Sequence, residues 1–185
     1  MTMTTMGTTS ENNPRYFIDT NCLVTPYNDY YRPRYAMSAP FWKRLKELVN
    51  QEEVGILVQV EKEILAGSKD SDALNEWMQS VKQTIINPLP DLSVLAVYQS
   101  IMRYLADERN EFSQKAQRSW MSPKIADPWL IATAKCFNAT IITFEKSVGR
   151  VKGQLAAKVK IPDIAAVYGV RCISLFDFMD EVSGF

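Results

Sequence analysis

Four acidic residues of this chain lie after apolar segments or at the start of predicted helical segments. An α/β sheet places the carboxylates of a functional site at such positions. They are Asp19, Glu63, Asp127 and Glu145. If these side chains share one cleft, their negative charges repel one another and raise each other's pKa. A hard divalent cation such as Mg²⁺ or Mn²⁺ relieves that repulsion, because it prefers oxygen ligands. The four acids therefore predict metal-dependent chemistry, with a phosphodiester as the expected substrate.

The most informative motif is Asp19-Thr20-Asn21, which directly follows the apolar residues 16–18. In parallel α/β sheets the site lies beyond the carboxyl ends of the strands, so Asp19 would project into it. Asn21 would orient a water or a ligand carboxylate there. The same residues also suit a turn or a helix cap, and the motif alone does not decide between these interpretations.

Two of the other acids belong to predicted helices and have structural alternatives. Periodicity does not distinguish Glu61 from Glu63, because the apolar positions leave both on the flanks of their helix. Asp127 precedes Pro128, which is the usual order of an N-cap residue and a proline at the first helical position. A helix N-terminus also stabilises an ionised carboxylate, so capping and ligation are compatible for Asp127.

The last acid, Glu145, ends the apolar run 140–144. Thr143 would hydrogen-bond a water or a phosphate at the same rim, although an exposed glutamate in a loop explains the pattern equally well. The stretch that follows contains no acidic residue. Its cations would either bind a phosphate backbone or be exposed to solvent. These cations are Lys146, Arg150, Lys152, Lys158 and Lys160.

A second basic segment, residues 26–40, lies between the first predicted strand and the first predicted helix. It contains four tyrosines interleaved with Arg32 and Arg34. One interpretation is a loop whose rings stack on bases and whose arginines contact phosphates. The other is an aromatic loop that packs on its own domain.

Composition narrows the chemistry available. The chain has 185 residues and no histidine, which excludes Ser-His-Asp and Cys-His catalysis and the common histidine-containing zinc sites. Lys plus Arg and Asp plus Glu each total 21, so the chain lacks the excess of positive charge that a histone has. This balance does not exclude a local basic groove. Cys22, Cys136 and Cys172 are widely separated, and we expect buried, reduced thiols in a cytoplasmic protein.

Apolar periodicity predicts alternating strands and helices. Strands are expected at 16–18, 54–58, 84–86, 140–144 and 170–174. Helices are expected at 41–50, 72–82, 92–106, 111–120 and 127–137. Most strand segments are continuously apolar, which indicates burial on both faces. The alternation predicts an α/β domain with a parallel sheet.

The length suits one domain with a sizeable core. Residues 1–13 are rich in Met and Thr and lack the basic and apolar stretches of a signal peptide, so we expect a disordered leader before a single domain over 14–185. No segment approaches 18 continuous apolar residues, and no transmembrane helix is expected.

Together these motifs resemble the PIN domain, the small nuclease fold of VapC-type toxins and of ribosomal and messenger RNA processing factors. The resemblance extends from Arg15 to the C-terminus and rests on residues 17–21, Glu63, Asp127 and residues 143–145, in that order. Further stretches are similar to a bacterial PIN-like subgroup of mainly uncharacterised proteins. These are residues 39–42, 127–132 and 160–163.

The family implies a three-layer α/β/α sandwich around a parallel sheet of about five strands, in the order 3-2-1-4-5. It also implies a Mg²⁺- or Mn²⁺-dependent ribonuclease site whose ligand positions fall on the four acids named above. Asn21 and Thr143 match supporting polar positions, and the resemblance favours Glu63 over Glu61. The fourth acid is more often Asp in the family, so Glu145 would bind through water or not at all.

The leading hypothesis is therefore hydrolysis of RNA phosphodiester bonds, with the chain as the toxin of a pair whose small antitoxin covers the acidic cleft. The alternative is a non-catalytic RNA- or protein-binding module with a degenerate site. PIN domains often form homodimers, and residues 26–40 are a candidate surface for that contact. A haloacid-dehalogenase-like phosphatase is disfavoured, because the second Asp that it needs is Asn21 here.

Overall fold

The structure is a computed structural model that describes residues 13–67, 73–149 and 153–185. The leader predicted over residues 1–13 lies outside these residues, apart from Asn13. At the centre is a parallel sheet in the order β2-β1-β3-β4. Its strands are β1 (Tyr16–Ile18), β2 (Val54–Gly55), β3 (Thr140–Ile142) and β4 (Cys172–Ile173).

The sheet confirms the predicted α/β class, with four strands in the described residues instead of about five. β1 pairs with β2 on one side and β3 on the other, and β3 pairs with β4. The strand predicted over 84–86 is reduced to one parallel bridge between Leu57 and Ile86. Its first residue instead closes a 3-10 turn, Lys82–Thr84. Ile86 pairs beyond β2, so the predicted strand order is kept. The strand predicted over 84–86 contributes only this single bridge to it.

Nine α-helices surround the sheet in the described parts of the chain. They are α1 (Asn21–Thr25), α2 (Ala39–Asn50), α3 (Val58–Gly67), α4 (Ala73–Ser80), α5 (Leu92–Ala106), α6 (Gln114–Trp120), α7 (Ala126–Phe137), α8 (Ile161–Val167) and α9 (Leu175–Val182). Five of them, α2, α4, α5, α6 and α7, correspond to predicted helices, and α5 matches at both ends. β2 is shorter than predicted because Val58 already begins α3.

Helices cover both faces of the sheet. Neighbouring residues of a strand point to opposite faces, and all three residues of β1 are buried. Tyr16 packs against Phe178 of α9, with ring centroids 4.9 Å apart, whereas Phe17 packs against Phe137 of α7 at 5.7 Å. A Cβ atom at Gly55 would lie 2.6 Å from the Phe17 ring, so this close approach requires glycine. The three-layer arrangement is thereby confirmed.

Two expectations from composition can be compared with the structure. Cys22, Cys136 and Cys172 are all free thiols, but only Cys22 is buried and the other two are half-buried. The prediction of unpaired cysteines is confirmed, and that of burial is wrong for two of them. Among the helices in the described ranges, none has the length and apolar character that a membrane crossing requires.

The N-terminus of α5 offers a test of local stability. The Asp91 side chain accepts hydrogen bonds from the backbone N–H groups of Ser93 and Val94. We expect Asp91→Ala to lower the free energy of unfolding by about 1 kcal/mol, because both N–H groups lose their acceptor. Urea denaturation measures this loss. Asp91→Asn keeps an acceptor oxygen and should retain most of the stability, and an equal loss in both variants would contradict the capping role.

Candidate metal centre

The ends of β1 and β3 bring two of the predicted residues together. Ile18 pairs with Ile142, so the next residues, Asp19 and Thr143, leave the sheet side by side. The Thr143 hydroxyl donates a 2.7 Å hydrogen bond to Asp19 Oδ2. Asp19 is only 4% exposed. A carboxylate is thus buried at the carboxyl edge of the sheet, at the position that the strand pattern predicts.

Asn21 links the same two strand ends. Its Nδ2 group donates to Asp19 Oδ2 and, at 3.2 Å, to Thr143 Oγ1. Its Oδ1 atom accepts a 2.9 Å hydrogen bond from the backbone N–H of Phe144. The amide therefore holds the Asp19 carboxylate in one orientation without adding charge to the centre.

Glu63 reaches the centre from α3. One of its oxygens accepts a hydrogen bond from the Thr20 hydroxyl, and the other accepts one of 2.8 Å from the backbone N–H of Ala126. Ala126 is the first residue of α7, whose leading N–H groups have no partner within the helix. A negative charge is also favourable at that end of the helix dipole. Glu61 makes neither contact, so the structure places Glu63 and not Glu61 beside Asp19.

Asp127 lies in the first turn of α7 and is half-buried. Its predicted role as the N-cap is wrong, because the N-cap residue is Ile125, which makes no side-chain cap. Glu63, from a different helix, binds the N–H group of the first helical residue instead. The helix is anchored below Asp127 by Trp129, which is 1% exposed and stacks on Tyr98 with ring centroids 3.9 Å apart.

Glu145 differs from the other acids because a cation already neutralises it. Lys160 donates to one carboxylate oxygen, and the backbone N–H of Ile161 donates a 2.8 Å hydrogen bond to the other. Ile161 begins α8. Glu145 therefore ties the end of β3 to the start of α8 while its charge is offset.

The four acids interact electrostatically. Burial raises the pKa of Asp19 to about 7; the Thr143 hydrogen bond opposes this increase, and the charges of Glu145 and Glu63 add to it. Burial also raises the pKa of Asp127 to about 8, with the charges of Asp19, Glu145 and Glu63 adding to the shift and that of Lys160 opposing it. The tertiary structure thus brings the four predicted carboxylates into one electrostatic cluster.

The chemistry of this donor set fits a hard divalent cation. The donor atoms are carboxylate oxygens, and Lys160 offsets only part of the negative charge of the four acids. As the side chains stand, no three Asp, Glu or Cys groups in the described ranges are arranged to ligate one ion. Both oxygens of Glu63 and of Glu145 already accept hydrogen bonds. Burial and neighbouring charges raise the pKa of Asp19 and Asp127, so a bound cation would stabilise the ionised forms of these two acids most.

The predicted RNA-binding cations have different surroundings. Lys146 lines a cavity of about 600 Å³ together with Thr143 and Glu145. Arg32 pairs with Asp29 at 3.8 Å, and Arg34 donates a 3.0 Å hydrogen bond to the Tyr35 hydroxyl, so both contact their own segment. The remaining two, Arg150 and Lys152, lie outside the described residues.

The aromatic segment 26–40 packs on its own domain, as one of its two interpretations predicts, and stacking on bases stays a prediction. It contains a π-helix, Pro26–Tyr30, and a 3-10 turn, Ala36–Ser38. Tyr31 stacks on Phe41 with centroids 4.1 Å apart, which is packing on its own domain. Tyr30 is 55% exposed and lies 6.1 Å from the ring of Phe144, next to the acidic centre.

Sequence reasoning assigned no role to Thr20 and did not single out Lys160. Thr20 stands between two residues of the opening motif, so its position was the available signal. Lys160 was one of five cations in a basic stretch, and no spacing rule pairs it with Glu145. Both contacts come from the folding of distant segments onto one edge of the sheet.

Comparison with known proteins identifies a family and a fold. Residues 16–183 match the family described as Domain of unknown function (DUF4411). One chain in the crystal structure of VapBC2 from Rickettsia felis, bound to a DNA fragment from their promoter, is similar at a TM-score of 0.51 and 15% sequence identity. The match covers 86% of this chain and 97% of that chain, and the fold is PIN-like. No curated protein matched. The chain therefore belongs to the DUF4411 family.

Proposed function

We propose that this protein is a Mg²⁺- or Mn²⁺-dependent endoribonuclease of the PIN type. The observation that carries the proposal is the acidic cluster at the carboxyl edge of the sheet, where burial and the charges of neighbouring carboxylates raise the pKa of Asp19 and Asp127. Groups with strongly shifted pKa values in a cleft are typical of functional sites. The PIN-like fold supports the same chemistry, since VapC proteins are PIN-domain nucleases.

In this proposal Asp19 and Asp127 hold the principal ion, and Glu63 and Glu145 complete a second or water-mediated position. A bound divalent ion lowers the pKa of water and stabilises negative charge on phosphoryl oxygens. Thr143 orients the Asp19 carboxylate through its hydrogen bond. Because the chain has no histidine, these carboxylates are also the groups at the centre that can accept a proton from an attacking water.

Cleavage of single-stranded RNA tests the proposal directly. The purified protein should cut a labelled RNA internally with Mn²⁺ or Mg²⁺ and should leave it intact in EDTA. An Asp127→Asn preparation made in parallel controls for contaminating nuclease. Cleavage that persists in EDTA, or that is equal in the variant preparation, would overturn the assignment.

We also propose a small protein partner, an antitoxin that covers the acidic cleft. The support is the similarity to a VapBC2 chain, because VapBC pairs are toxin–antitoxin complexes. Co-expression with a small neighbouring reading frame should yield a complex that does not cleave RNA. A homodimer, the other partner expected from the family, is tested by sedimentation of the isolated chain, and a monomer at all concentrations would exclude it.

The ion pair between Lys160 and Glu145 favours one alternative function. A lysine that neutralises one of the four acids is what a degenerate site in a binding module would contain. Calorimetric titration with Mn²⁺ distinguishes the two proposals. The nuclease should bind the ion with a saturable heat change that Asp19→Asn abolishes, whereas a binding module with a degenerate site should take up no ion at millimolar concentration.

A further inference from the structure

A cavity of about 390 Å³ lies beside the acidic centre. Glu63 and Asp127 line one part of it, and three lysines line another. Lys115 belongs to α6, whereas Lys158 and Lys160 precede α8. Negative groups of the proposed metal centre and positive groups from two distant segments therefore line the same cavity.

Backbone contacts hold the two cationic segments together. Phe112 and Ala156 form a parallel bridge just before α6. The N–H of Ser113 donates a 3.0 Å hydrogen bond to the carbonyl of Ala156, whose own N–H donates one of 2.7 Å to the carbonyl of Glu111. At the other end of α6, Trp120 is 3% exposed and also lines the cavity. These contacts thus fix the backbone segments that carry the lysines beside the cavity.

The three lysines differ in what they contact. Lys160 is already engaged in the ion pair with Glu145. Lys115 and Lys158 are exposed, and neither forms an ion pair with an acid that the structure describes. A polyanion that approaches Glu63 and Asp127 is repelled, and the two lysines at the same cavity offset that repulsion. Lysine ammonium groups bind phosphate as point charges.

We propose that Lys115 and Lys158 bind a phosphate of the RNA strand adjacent to the one that is cleaved, and thereby hold the strand over Asp127. This inference rests on the proposed ribonuclease function and adds a substrate-binding subsite to it. The two lysines contact a phosphate that does not react, so they contribute to binding of the strand and not to the chemical step.

The experiment compares Lys115→Gln, Lys158→Gln and the double variant with the wild type. Fluorescence anisotropy with a labelled single-stranded RNA in Ca²⁺ gives Kd at several salt concentrations, and cleavage in Mn²⁺ gives KM and kcat. The double variant should raise Kd and KM about tenfold and leave kcat within about twofold. The slope of log affinity against log salt should fall by about 0.7, since the two lysines neutralise one single-strand phosphate.

Lys135→Gln is the matched control, because Lys135 is exposed in the last turn of α7, at the opposite end from Asp127. It should match the wild type. A double variant with unchanged Kd, KM and salt slope, in a protein that cleaves RNA, overturns the subsite and leaves the nuclease proposal standing. A loss of kcat alone also overturns it. A wild-type protein that neither binds nor cuts RNA removes both proposals.

Discussion

Asp127→Asn should reduce Mn²⁺-dependent cleavage of single-stranded RNA by about a thousandfold, and Asp19→Asn should have a similar effect. Each substitution keeps the size of the side chain but removes a charge that the proposed ion needs. Loss of about 4 kcal/mol of transition-state stabilisation corresponds to about a thousandfold in rate. The measured quantity is kcat/KM, determined with saturating Mn²⁺ and with the metal removed.

Glu61→Gln is the matched control for this result. Glu61 lies on the same helix as Glu63 but makes neither of the contacts through which Glu63 reaches Thr20 and Ala126. The variant should retain wild-type activity, whereas Glu63→Gln should lose roughly 10- to 100-fold, as expected for an acid at the second or water-mediated position. Full activity of Asp127→Asn, or equal losses at Glu61 and Glu63, would contradict the proposed centre.

The same substitution, Asp127→Asn, should stabilise the metal-free protein at pH 8. Burial and neighbouring charges raise the pKa of Asp127 from an ordinary value of 3.8 to about 8. Below pH 4 both the folded and the unfolded chain hold the proton, and the wild type has no penalty. As the pH rises toward 8 the unfolded chain releases its proton first, so the wild type loses stability on the order of 4 kcal/mol relative to the variant.

Urea denaturation in EDTA between pH 5 and pH 8 measures this difference. The gap between variant and wild type should widen as the pH rises, and Mn²⁺ should then stabilise the wild type and leave the variant unchanged. Glu61→Gln should give a curve parallel to that of the wild type. A gap that stays constant with pH, or a variant less stable at every pH, would show that burial and neighbouring charges do not raise the pKa of Asp127. Together with the cleavage assay, these curves separate loss of chemistry from loss of folding.

The position of Asp19 could be predicted because local pattern determines it. An apolar segment that is buried on both faces indicates a central strand of a parallel sheet. The residue that follows the last paired residue of this strand lies at the carboxyl edge of the sheet. The same argument placed Thr143, since β3 is parallel to β1 and ends beside it. The prediction succeeded where strand register and burial alone decide the position of a side chain.

Other features depended on contacts between distant segments. Helical periodicity left Glu61 and Glu63 equivalent, and the backbone N–H of Ala126 distinguishes them. The predicted strand at 84–86 shrank to one bridge, because only Ile86 finds a partner in Leu57. The N-cap predicted at Asp127 failed for a related reason, since an acid from another helix binds the first N–H group of α7.

The sequence by itself determined the α/β class, the parallel sheet and the positions of Asp19 and Glu145 at the ends of two strands. These follow from apolar periodicity, which is a local property of the chain. Only the tertiary structure decided that Lys160 neutralises Glu145 and that Lys115 faces the same cavity as Lys158. The reason is physical: charged side chains carry no periodic signal for their partners, and packing of remote segments selects which of them meet.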